Sequence, residues 1–349
     1  MKTAIWAALA LAIGVAGAAK AQEVKSFKTW LAVCDNLKTC AAFGFAPDDA
    51  DSPGYVKLAR AAGPSASPRV VLQVQDMSGD DSAGLKWKVT IDGAVVPGLS
   101  ALATKINDEG PRAELAGDQA QALIAALRNG ATLTLTGGPN AATAISLSGA
   151  AASLLWIDDS QGRVGTVTAL GAHGTKPASV VPSALATPIV RAAAPASQAR
   201  LATKLPASIA KAPGMGDCDT GDDHPDPFIA RLGAGQVLWA PVCSEGAYNL
   251  LYLTFVGDES GGHLQVVRLP PAVATTGEDD GQVMNLDYDA KTGVLSSVSK
   301  LRGLGDCGEQ TSWVWDGKAF RVVDDTTMPD CHGVAQDEWP SLYRAAVSR

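Results

Sequence analysis

The sequence predicts a mainly β protein with two antiparallel β domains, joined by a linker rich in alanine and proline. Three observations lead there. Short runs of period-two hydrophobicity recur along most of the chain and are punctuated by Asp-Gly and Gly-rich turns. Only one stretch carries a clear helical pattern with start and stop signals. Between residues 172 and 213 the periodicity lapses, and "KPASVVPSALATPIVRAAAPASQARLATKLPASIAKAP" takes its place.

The first domain, 22–171, is expected to be sandwich-like with a helix. "SFKTWLAVCDNLKTCAAFGF" alternates around Trp30, Leu31 and Val33 and turns at Asp35-Asn36, which reads as a hairpin. "RVVLQVQDM" and "LKWKVTIDGAVV" are period-two strands, the second turning at Asp92-Gly93. "AGDQAQALIAALRNG" is the helix: Asp118 can cap it, Leu123 and Leu127 share a face, and Asn129-Gly130 ends it. "ATLTLTGG" and "AISLSG" return to strand, whereas "SLLWIDDSQGRVGTV" suits helix and strand equally.

Proline removes a backbone donor and restricts the residue before it, so the 172–213 stretch is expected to be a semi-extended linker. A short helix near 197–211 is the alternative there.

The second domain, 214–349, is expected to be a meander of hairpins. "YNLLYLTFVGDESGGHLQVVRLP", "QVMNLDYDAKTGVLSSVSKLRG" and "TSWVWDGKAFRVVDD" each read strand, turn, strand, and Asp316-Gly317 is a two-residue type I′ signal. Trp313 and Trp315 lie two apart and so share a strand face, where core packing is their expected role.

The chain opens "MKTAIWAALALAIGVAGAAKAQEV": a lysine, an apolar run from Ala4 to Ala16, then Ala19-Lys20-Ala21 as a small-x-small cleavage signal. Residues 1–21 therefore read as a signal peptide, because the apolar run falls short of the about 20 residues that span a bilayer. No later stretch is apolar for long enough to be a membrane span, and the mature chain is expected in the periplasm or outside the cell. Formal net charge is −8 and lysines and arginines are not clustered, which argues against nucleic acid as a partner.

An even cysteine count in an exported chain reads as disulfides. Sequence alone does not choose among the connectivities of Cys34, Cys40, Cys218, Cys243, Cys307 and Cys331, but neighbouring pairs each bracket a short, turn-rich segment. Closing the loop from Cys307 to Cys331 in this way is worth roughly 3–4 kcal/mol. Zinc is disfavoured, since no C-x-x-C occurs and His173, His224, His263 and His332 lack ligand spacing.

Candidate chemistry is sparse. In "GDCDTGDDHPDPF", Asp217, Asp219, Gly221 and Asp223 fall at the alternating spacing of a calcium loop. Cys218 interrupts it and the twelfth position lacks glutamate, so a solvated turn is the stronger reading and calcium the weaker; no other cofactor is expected. "DYDAKTG", with Asp287, Asp289 and Gly293, is explained by turn chemistry. No G-x-S-x-G elbow, phosphate-cradling loop or dinucleotide fingerprint occurs. Carboxylate pairs such as Asp324-Asp325 and Asp279-Asp280, and the histidines His224 and His332, are the residues an enzyme would have to draw on. With no catalytic residue assigned, the leading expectation is a non-catalytic binding module whose partner is an envelope protein or a glycan. The alternative is a periplasmic hydrolase of cell-wall or other glycans.

"WAPVCSEGAYN" (239–249), "LRGLGDCGEQTSWVWDG" (301–317), "FRVVDDTTMPDCHG" (320–333) and "EWPSLYRA" (338–345) resemble the bacterial domain of unknown function 1176 family. That resemblance implies an exported protein with six characteristic cysteines and supplies no active site. The first unit, through "FKTWLAVCDNLKTC" and its helix–strand–"ISLSG" order, is also similar to the invasion-associated locus B family of envelope proteins.

Overall fold

The computed structural model describes residues 23–76, 85–137, 142–218, 225–233, 235–271 and 282–349. The expected signal peptide lies outside them. The fold is mainly β, with several antiparallel sheets and two α-helices among the described residues.

The first unit is built on a seven-stranded antiparallel sheet. Its order is Glu23–Phe27, Trp30–Cys34, Cys40–Phe45, Gly54–Arg60, Arg69–Val74, Gly110–Leu115, Lys105–Asn107. A five-stranded sheet forms the second layer, from Lys86–Ile91, Ala94–Val95, Leu102–Ala103, Thr132–Thr136 and Thr143–Ser146. Helices α1 (Gly117–Leu127) and α2 (Ala150–Ser160) complete that side.

Successive strand residues point to opposite faces, yet every residue of Trp30–Cys34 is buried. The reason is that the seven-stranded sheet has a core on each face. Trp30, Ala32 and Cys34 join Val56, Leu58, Leu72, Trp87 and Leu123 on one side. Leu31, Val33, Phe43 and Tyr55 join Cys307, Met328, Val334 and Trp339 of the second unit on the other. The two units therefore share a hydrophobic core. Trp30 fits beside its cross-strand partner Gly44 because that residue has no side chain: a Cβ there would stand 2.6 Å from the indole.

The first half of the ambiguous segment, 153–160, is helix, and the rest turns away from it. Leu154 and Ile157 pack inward, and Asp158 at the same buried face accepts from Leu170, Gly171 and Ala172 N–H and from Arg60. Asp118 is not the cap of α1; that place falls to Ala116, with no side-chain cap bond, and Asp118 stands in the first turn beside the exposed N–H groups.

The segment rich in alanine and proline is held against the second unit. Ile189–Arg191 pairs in parallel with Ala346–Ser348, Ala193 N–H donates to the Trp315 carbonyl, and Ile209 is buried with Met215, Trp239 and Phe255.

In the second unit the five-stranded meander runs Leu286–Asp289, Val294–Lys300, Gly308–Trp315, Phe320–Met328, Ser341–Arg344. Trp313 and Trp315 lie together in its core. Two expectations change. The stretch 250–266 holds the expected strand–turn–strand, Phe255–Gly257 paired antiparallel with Gln265–Val266, but in a sheet other than the meander; Leu250–Leu253 belongs to a third sheet, with Thr254 tied by its hydroxyl to the Val267 carbonyl. The Asp316-Gly317 pair is also not a type I′ centre. Only Gly317 has positive φ, and the Asp316 carboxylate accepts from Lys318 and Ala319 N–H at 2.8 Å, capping the turn from outside.

Candidate functional site: a cleft at the junction of the two units

Both segments that close the second unit's side of the shared core are fixed by one staple. Cys307 ends the turn after Val294–Lys300, and Cys331 lies in the loop after Phe320–Met328; their disulfide holds the two together. Cys34–Cys40 bridges the hairpin of Trp30–Cys34 and Cys40–Phe45, and Cys218–Cys243 ties the segment after the Ala/Pro-rich stretch to the strand Val242–Glu245. The three disulfides point to an oxidising compartment outside the cytoplasm.

Facing the Cys331 loop are the residues that follow two strands of the seven-stranded sheet, Ala46–Asp48 and Gln75. Between them lies a cleft of about 490 Å³, lined also by Arg302, Asp330, His332 and Gly333. The lining is polar and rigid. His332 stacks on Phe45 with ring centroids 4.2 Å apart, and its Nδ1 is 2.8 Å from Asp48 Oδ1. Gln75 Nε2 donates to the carbonyls of Gly333 at 2.6 Å and His332 at 3.1 Å. Arg302 forks onto Asp306, with Nε 2.7 Å from Oδ1 and Nη2 2.5 Å from Oδ2, and Gly333 N–H also reaches Oδ2 at 2.6 Å. Burial opposes ionisation of Asp306, but Arg302 and the Gly333 N–H outweigh it and hold its carboxyl below the usual range.

Below the cleft the junction is ionic. Glu338 of the second unit lies 2.7 Å from Lys57 and 2.5 Å from Arg112 of the first. Burial acts against the Glu338 carboxylate, but these two cations keep its pKa depressed. Beside them the Tyr55 hydroxyl is buried without a partner, and burial, then Glu109 and Glu338, push its pKa up.

After its fork onto Asp306, Arg302 keeps Nη1 without a protein acceptor among the described residues, and its side chain is 43% exposed. A guanidinium so held is a fixed donor for carboxylate, phosphate or hydroxyl oxygens. Among the described residues no hydroxyl or free thiol lines the cleft, since Cys331 is in the disulfide. Asp48, 81% exposed, is too solvated to orient His332 in the manner of a catalytic dyad.

Of the residues singled out from sequence, His332 lies in this cleft and Asp324 and Asp325 do not. Asp325 is fully buried, bonded by Thr311. Asp289 caps its hairpin turn, accepting from Lys291 N–H and the Thr292 hydroxyl. Asp217 ends a short 3-10 helix beside Cys218, whereas Asp219, Asp223, His224, Asp279 and Asp280 lie outside the described residues. Arg302 and Gly333 stand inside motifs quoted from the sequence but carried no functional pattern there. Asp48 and Gln75 carried no signal at all, because only the fold brings them to the Cys331 loop.

The model of the family "protein of unknown function (DUF1176)" matches residues 24–346. The uncharacterized protein YpfG of Escherichia coli (strain K12) is 28% identical over 353 residues, covering 91% of this chain and 92% of that protein. No solved structure matches. Among the described residues no helix is long and apolar enough to cross a membrane.

Proposed function

This chain belongs to the DUF1176 family of proteins of unknown function, and from that premise we propose that it is a non-catalytic binding protein of the bacterial periplasm. It holds a polar group of an envelope protein or glycan in the cleft between its two units. The observation that carries this reading is the arrangement of Arg302 and His332. Each is immobilised from behind, by Asp306 and by the Phe45 ring respectively, and each lines the same open cleft. Pre-organised donors lose little freedom on binding, which favours recognition over induced closure. The opening "MKTAIWAALALAIGVAGAAKAQ" serves as the export signal in this reading, and the disulfides form after export.

The test is capture from cross-linked cells with the exported protein, analysing both proteins and glycan fragments. The wild type is expected to enrich one component that an Arg302→Ala/His332→Ala variant loses while keeping its melting temperature. Equal enrichment by the variant contradicts the assignment to this cleft.

A further inference from the structure

A second cavity, which shares no lining residue with the junction cleft, lies where the last turn of α1 meets the loop 167–173. Its volume is about 330 Å³, within the range of small-molecule sites. Ile124, Pro68 and Leu170 make its walls largely apolar, and its ionisable lining consists of Arg128 and His173 alone, with no acidic residue.

Arg128 is poorly satisfied by the protein. Among the described residues its buried Nε has no acceptor, and its Nη1 reaches the Gly171 carbonyl at 3.5 Å and no other. The position of Arg128 just past α1 suits the carbonyl end of a helix, but no carbonyl of that helix takes up Nε.

The wall behind the cavity deepens the imbalance. Two buried arginines, Arg60 and Arg163, stand there with one carboxylate, Asp158. Asp158 is fully engaged: Arg60 is 2.8 Å away with both side chains unexposed, and three backbone N–H groups occupy its remaining lone pairs. Among the described residues Arg163 hydrogen-bonds to neutral oxygens, those of Thr168, Gly63 and Ala66, and its Nε has no partner there. Thr168 and Ala66 are themselves part of the cavity lining. The pocket is thus backed by two buried guanidiniums that share one carboxylate, Asp158, and edged by a third, Arg128.

We propose that this cavity binds a carboxylate carried on a compact apolar body, with the carboxylate at Arg128 and the apolar part against Ile124 and Leu170. An anion there would meet an unused guanidinium donor and gain from the surplus positive charge of Arg163. The apolar walls would add the burial of the ligand's apolar body. A carboxylate of this kind is supplied equally by a short fatty acid or by the C-terminus of a peptide ending in an apolar residue.

The experiment is calorimetric titration of the exported full-length chain with octanoate, with octanamide as its neutral counterpart, and with N-acetyl-alanyl-leucine. Octanoate or the dipeptide is expected to bind saturably, and whichever binds identifies the source. Octanamide is expected to bind about tenfold or more weakly, the size of a lost charge-assisted hydrogen bond. Arg128→Gln should weaken the carboxylate by a similar factor, and Arg128→Lys should restore part of it. Arg302→Ala, in the junction cleft, should leave the binding unchanged, which keeps this site separable from the other. Equal binding of octanoate and octanamide, indifference to Arg128→Gln in a folded variant, or no saturable binding of either carboxylate overturns the proposal.

Discussion

Gln75 donates through Nε2 to the Gly333 carbonyl at 2.6 Å, so one amide of the first unit grips the stapled loop of the second. The contact is close because Gly333 has no side chain. An added Cβ would fall 1.2 Å from Gln75 Nε2, on a backbone with φ of +72°. The junction cleft and the shared core both depend on that approach.

Gly333→Ala is therefore expected to destabilise the protein by about 1–3 kcal/mol, from the strained φ and the displaced amide together. Urea unfolding measures it. Adding Gln75→Ala should recover the steric part and leave the backbone part.

Asp325 should make stability fall as pH rises. Its Oδ2 has no partner, and burial, then Glu309 and Asp324, push its pKa to about 7. An unfolded aspartate titrates near about 3.9. Between those values the native state binds more protons than the unfolded chain, so this group's contribution is lost as pH climbs through the window. The loss is at most about 1.4 kcal/mol per pH unit. Asp325→Asn should remove this slope. The comparison of variant with wild type at each pH isolates it from Asp306 and Glu338, whose depressed pKa values act in the opposite direction.

Asp158→Asn should be among the most damaging substitutions in the first unit. It takes from the unexposed Arg60 guanidinium the carboxylate that bonds it and weakens the hold on the N–H groups of residues 170–172. Breaking a buried pair from one side costs about 3–5 kcal/mol, which a shift in the urea midpoint will show.

Removing the staple should loosen the cleft before it unfolds the sheet. Cys307→Ala/Cys331→Ala is expected to cost about 2–5 kcal/mol. Amide exchange should rise first at residues 302–306 and 329–333, the two segments the bond joins.

Much of the architecture was legible in the residues. Asp92-Gly93, both at positive φ, turn the hairpin that their dipeptide signals, and Trp313 and Trp315 take the shared core face that their spacing requires. Leu123 and Leu127 likewise bury the face of α1 that their spacing marks. What periodicity could not reveal is long-range. Leu31 and Val33 look like one face of a half-exposed hairpin, yet Met328 and Trp339, some three hundred residues on, cover that face. The failed cap at Asp118 has the same character, because tertiary packing of α1 fixed its start one residue from the polar side chain. The candidate site was less legible still. His332 and Arg302 sit in conspicuous motifs, but the partners of His332, Asp48 and Phe45, belong to the other end of the chain. Disulfide spacing marks scaffold, and here the scaffold carries the cleft on its outer side.

The most direct test of the junction cleft is photo-cross-linking in living cells from a benzoylphenylalanine placed at Asp330, on the cleft lining, and at Leu185, exposed elsewhere. The expected result is one defined adduct from position 330 that disappears when Arg302 is replaced by alanine, and none from position 185. No adduct at 330, or the same adducts from both positions, would contradict a binding role for this cleft.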